Sequence, residues 1–285
     1  MARRVIFVIA VAAGLAAPSS LAQVVLSPAV FHSQDLPANA TTAFTVACAP
    51  GYLATSAGIS NPAPGVTLLS IRPAGFSAYA FRFGNSPENS DQKVTVVVAC
   101  RKVSSSGSKP RIVLRQRLVQ SKLTVPAGKL AAVGLACPPA TAPAGRGFDL
   151  TPSQPGNLAS PISFRKNVLH LHGFAFSVLN KGARARTIVL YGNCLTLLRP
   201  AGTRVQQLGI KITTFRDLVE PGSQSIAHRC PSGWVSLAAG YSLRSRLQTV
   251  HGAAAITTTA KWSVENAASV PALVELQLAC GSLQR

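Results

Sequence analysis

The chain has 285 residues, 28 Lys and Arg against 8 Asp and Glu, and a formal net charge of +20. Eight carboxylates leave little for acid–base catalysis, and aromatic residues at 6% leave little for stacking nucleic-acid bases. Most hydrolases and a sequence-specific nucleic-acid binder are disfavoured on those grounds.

Residues 1–22 read as an export signal. Arg3 and Arg4 give a basic start, residues 5–17 an apolar stretch too short to span a bilayer, and Ser20-Leu21-Ala22 small residues before a cut at Gln23. The arginine pair is similar to a twin-arginine signal, but the general secretory route fits the flanking residues better. No later apolar run approaches ~20 residues, so no transmembrane segment is expected. Without Arg3 and Arg4 the mature chain carries +18 and is expected to be secreted or periplasmic.

Three sets of marks recur beyond the signal. A cysteine is followed by a glycine ten residues on (Cys48 and Gly58, Cys137 and Gly147, Cys230 and Gly240). Later comes an aromatic four residues before an asparagine (Phe81 and Asn85, Phe176 and Asn180, Trp262 and Asn266), then a second cysteine (Cys100, Cys194, Cys280). A proline precedes each first cysteine: Pro37, Pro126 and Pro221. The glycine implies positive φ or close backbone approach, the aromatic a core anchor, and the asparagine a turn cap rather than a ligand. An even cysteine count in an exported chain implies disulfides, and the recurrence predicts Cys48–Cys100, Cys137–Cys194 and Cys230–Cys280. Each would contribute about 4 kcal/mol in the chain-entropy picture. Zinc is disfavoured because no C-x-x-C pair exists.

These marks predict an all-β protein of three tandem units, each a small antiparallel disulfide-stapled β-sandwich, with a single pseudo-threefold β-prism-like body as the alternative. The first unit spans residues 23–103, with strands near 24–26, 43–47, 66–71, 78–83 and 94–100. A Ser/Gly linker follows at 104–110. The second unit spans 111–199, with strands near 111–119, 130–136, 168–179 and 187–194, and an irregular Pro/Gly-rich loop over 138–161. Ala140 stands where the other units have Gly51 and Gly233. After a linker at 200–203, the third unit spans 204–285, with strands near 205–214 and 273–280.

The middle unit is strongly basic. Arg111, Arg115 and Arg117 share one strand parity, and Lys181, Arg184 and Arg186 cluster further on. Such rows suit a polyanion, outside the cytoplasm an anionic envelope glycan or lipid headgroup. His170-Leu171-His172 would place two imidazoles on one strand face, a weak metal candidate needing His228 or His251 to complete it. No nucleophile elbow, H-E-x-x-H or phosphate loop is present, so neither catalysis nor a cofactor is expected. The expectation is an exported non-catalytic protein that binds an anionic glycan or lipid headgroup. The alternative is a structural or adhesive component meeting a protein partner through strand edges.

Overall fold

The computed structural model describes residues 23–26, 29–63, 65–104, 113–151, 162–198 and 207–284. The export signal, Arg111 and nearly all of both linkers lie outside the described residues. Within them the chain is all strand and turn, without helix. The first strands are β1 (Gln23–Leu26), β2 (Val30–Leu36), β3 (Thr41–Ala47), β4 (Leu53–Asn61), β5 (Val66–Pro73), β6 (Ala78–Asn85) and β7 (Gln92–Ser104). Next come β8 (Val113–Val125), β9 (Leu130–Ala136), β10 (Ala142–Thr151), β11 (Ile162–His170), β12 (Gly173–Asn180) and β13 (Arg186–Leu198). The last are β14 (Gln207–Val219), β15 (Gly222–Arg229), β16 (Val235–Leu243), β17 (Gln248–Ile256), β18 (Thr259–Asn266) and β19 (Ala272–Gln284).

All pairing is antiparallel and falls into four sheets. In the first, β7 carries β1 and β2 end to end along one side and β4 along the other. The second runs β3-β6-β5-β10-β13-β8, the third β14-β19-β16-β11-β12-β9, and the fourth β15-β18-β17. The sheets follow one another like the blades of a four-bladed propeller. Cys48–Cys100 ties the second sheet to the first, Cys137–Cys194 the third to the second, and Cys230–Cys280 the fourth to the third. These are the three expected pairings. The fourth sheet returns to the first edge to edge, where a Cβ on Gly58 of β4 would lie 2.0 Å from the Ala253 carbonyl oxygen of β17.

Alternation along the strands builds a separate core at each disulfide-tied junction. Phe81 and Phe83 meet Val94, Val96 and Val98 in one. Phe174, Phe176 and Val178 meet Ile188 and Leu190 in the next. Trp262 and Val264 meet Val274, Leu276 and Leu278 in the last. The recurring aromatics are thus the expected anchors, and Trp262 also donates its Nε1–H to the Gly240 carbonyl at 2.9 Å.

The recurring asparagines are wholly buried turn locks. Each side-chain amide donates twice to backbone. Asn85 reaches Leu36 and Ser90, Asn180 reaches Val125 and Arg184, and Asn266 reaches Val219 and Val270. One bond closes the turn and the other holds the end of a strand from elsewhere in the chain, which satisfies carbonyls otherwise lost to the interior.

Residues 138–141 form a turn in which Thr141 donates to the Pro138 carbonyl, with Ala140 at φ +58°. Gly51 and Gly233 hold the same turn position at φ +81° and +78°. A positive φ costs an L-residue roughly 1–2 kcal/mol, whereas glycine costs roughly 0.5–1 kcal/mol in chain entropy. Ala140→Gly is therefore expected to stabilise the protein by about 0.5–1 kcal/mol, read as a raised urea midpoint at unchanged slope.

Four expectations are corrected. The pieces are not self-contained sandwiches, because β5 pairs β10 and β11 pairs β16 across the expected linkers. Nor do they make a three-sheet prism, since hydrogen bonding yields four sheets. The expected loop over 138–161 contains β10, whose register shift between Pro143 and Arg146 breaks the alternation that would have revealed it; residues 152–161 lie outside the described residues. The single strand expected over 168–179 is a hairpin, folding at Leu171-His172 so that His170 pairs with Gly173.

Candidate functional site

Arg115 and Arg117 lie exposed on one face of β8, the last strand of the second sheet. Lys181 and Arg184 lie exposed in the turn joining β12 to β13, while Arg186 opens β13 half-buried with its Nε unpartnered. These two groups do not form one patch. Arg117 pairs with Cys194 and Arg186 with Val125, so eight residues of ladder separate them, roughly 27 Å at about 3.4 Å per residue. Lys122 is exposed between them.

Acidic neighbours are already engaged. Asp149, the sole acid of the middle segment, accepts Arg82 at 2.9 Å and faces Arg72 at 3.9 Å. Glu275 accepts Arg244 at 2.6 Å and Arg216 at 3.4 Å; the Arg244 hydrogen bond holds its carboxyl below the usual range. Among the described residues no carboxylate pairs with Arg115, Arg117, Lys122, Lys181 or Arg184.

The histidines do not converge. His170 ends β11 and His172 lies in the hairpin turn, so the two do not share a strand face. His228 meets Asp217 at 2.9 Å and stacks on Phe215, and His251 meets Glu265 at 2.5 Å. No group of three or more metal-ligating side chains occurs among the described residues.

The most built polar site is inside the ring. Where β5 meets β10, β11 meets β16 and β17 meets β4, the strands leave a cavity of about 90 Å³. Ser56, Arg146, Asn167, Ala239 and Tyr241 are in its wall. A wider space of about 380 Å³ adjoins it, sharing Ile59, Leu68, Phe148 and Tyr241 and adding Phe164, Lys181 and His251. The β10 register shift re-aims Arg146, whose guanidinium carbon stands 6.0 Å from the Tyr241 ring centroid.

No side-chain N–H of Arg146 meets an acceptor among the described residues, and its Nη1 is buried. The residue keeps some accessible surface because it faces the cavity. Burial pulls the guanidinium down to about 10, with the Tyr241 and Tyr79 hydroxyls opposing that. Burial also pushes both phenols upward, against Arg146 and their amide neighbours Asn167 and Asn193, so they remain O–H donors. Asn193 donates to the Tyr79 hydroxyl at 2.6 Å. Asn167 Oδ1 and Ser56 Oγ are buried without partners.

The other two buried arginines meet backbone carbonyls, although Arg101 Nε stays unpartnered. Arg101 donates to the carbonyls of Cys100, Ser236 and Thr257, and Arg165 to those of Gln248 and Ser245. Arg146 alone among these three is left with its donors unused. Sequence reading missed it because it sits among prolines and glycines that disguise a strand. The available signal was an arginine between two glycines, Gly145 and Gly147, the second of them ten residues past a cysteine that the other units follow with strand. No protein-family model matches the sequence, and no curated protein matches it either.

Proposed function

We propose that the protein is exported, acts without catalysis, and binds an anionic glycan outside the cytoplasm along β8 and β13. The observation that carries this reading is a set of exposed cations without carboxylate partners among the described residues: Arg115 and Arg117 on one face of β8, Lys122 on its other face, and Lys181 and Arg184 in the β12–β13 turn. Arg117 and the start of β13, where the β12–β13 turn ends, stand roughly 27 Å apart along strands rising about 3.4 Å per residue, a spread that suits an extended polymer better than one lipid headgroup. Export is supported by the leader-like start and by six cysteines all in disulfides.

Within this reading the chain is three copies of one six-stranded unit. Support comes from the pairing: β13 lies between β8 and β10, β19 between β14 and β16, and β7 between β2 and β4. The β4–β17 edge meeting then corresponds to β5–β10 and β11–β16. On this reading Gly58→Ala should cost as much stability as Gly147→Ala, and a mild effect at Gly58 would set the β4–β17 meeting apart.

Retention of the mature protein on an immobilised uronate or sulfated glycan tests the binding reading. Arg115→Glu/Arg117→Glu is expected to weaken binding about tenfold or more at low salt, with wild-type retention falling steeply as salt rises. Retention unchanged by the charge reversal would sink the reading. A second reading, strand-to-strand docking of a protein partner, is favoured by the outer edge of β8, which pairs with no further strand among the described residues and has Val113 and Leu118 exposed. Salt-insensitive capture would support it instead.

A further inference from the structure

We propose that the axial cavity binds a small organic carboxylate, with the carboxylate on Arg146 and the apolar body in the adjoining space. Apart from Lys181, which lines the adjoining space, this site shares no residue with the proposed glycan surface, and it does not depend on the glycan reading.

Charge and geometry select the ligand. A buried cation without acceptors costs several kcal/mol unless an anion joins it. Arg101 and Arg165 show that this fold supplies carbonyls to buried guanidiniums elsewhere. At Arg146 it supplies a cavity with two neutral hydroxyl donors instead, those of Tyr241 and Ser56, beside the Asn167 side chain. A planar guanidinium fork matches a carboxylate in bidentate fashion. Among the described residues Arg146 is the only cation in the cavity wall, which favours a monoanion over a phosphate dianion. The inner cavity of about 90 Å³ corresponds to roughly three waters of liquid volume, room for a carboxylate but not for a sugar ring. Phe148, Phe164, Ile59 and Leu68 give the adjoining space apolar walls suited to a short hydrocarbon or aromatic body, with Lys181 and His251 also in its lining.

The test uses the mature oxidised protein with butyrate, benzoate, inorganic phosphate and chloride as probes at constant ionic strength. Calorimetric titration is expected to show saturable one-site binding of benzoate or butyrate, and thermal melts a matching rise in midpoint. Arg146→Met is expected to weaken that binding at least about tenfold, the range of a charge-assisted hydrogen bond, without lowering the ligand-free midpoint. Arg115→Glu/Arg117→Glu should leave carboxylate binding unchanged. Should Arg146→Met fail to fold, Ala239→Leu narrows the cavity and is expected to weaken binding by a similar factor. The proposal is overturned if neither carboxylate binds saturably, if phosphate binds while both carboxylates do not, or if the variant that folds binds as the wild type does.

Discussion

Gly147→Ala is expected to destabilise the protein by about 3 kcal/mol or more, an unusually large cost for adding one methyl group. The new Cβ would lie 2.1 Å from the Ile71 carbonyl oxygen, and its next neighbours, at 3.1 Å, are also backbone atoms of Ile71 and Arg72. No side chain is available to swing aside, so β10 must move off β5. That ladder is short, pairing Phe148 with Ile71 and Asp149 with Ser70, and it joins the two halves of the second sheet. Gly134→Ala is the matched control, because its Cβ would meet only the Phe174 carbonyl oxygen at 3.7 Å. Its expected effect is below about 1 kcal/mol. Urea unfolding midpoints at constant slope measure both, and two equally mild variants would contradict the close approach.

Arg101→Ala is expected to cost about 3–5 kcal/mol by the same measurement. The side chain is fully buried, and no carboxylate accompanies it among its described partners. From β7 in the first sheet it donates to the Ser236 carbonyl of β16 in the third and to the Thr257 carbonyl in the β17–β18 turn of the fourth. One guanidinium thus ties three sheets, although burial lowers it to about 10. Removal leaves a cavity and at least one carbonyl without its charged donor. Arg101→Met keeps most of the volume, so its smaller loss separates packing from hydrogen bonding. A cost below about 1 kcal/mol for the alanine variant would show that other groups take over these carbonyls.

Cysteine and asparagine positions made much of the frame readable. Asn85, Asn180 and Asn266 stand 15, 14 and 14 residues before Cys100, Cys194 and Cys280, and a buried turn lock tolerates few other residues. The same marks could not show which strands pair across segments. Gly58 meets Ala253 almost two hundred residues away, and no local period encodes that approach. Parity correctly kept Arg115 and Arg117 together, but it carries no information on distance along an antiparallel ladder, so the separation from Arg186 was invisible. The His170–His172 pair failed for a related reason, because a two-residue hairpin looks like a continuous apolar strand until it turns. Arg146 was hidden by the bulge that re-aims it.

The central claim is that the sheets shared across the segments make one cooperative body. Scanning calorimetry of the mature oxidised protein tests it most directly. The structure predicts a single transition whose calorimetric and van't Hoff enthalpies agree, because β5–β10 and β11–β16 couple each segment to the next. Three separable transitions, or an isolated 207–284 fragment that keeps a melting transition of its own as a monomer, would contradict it.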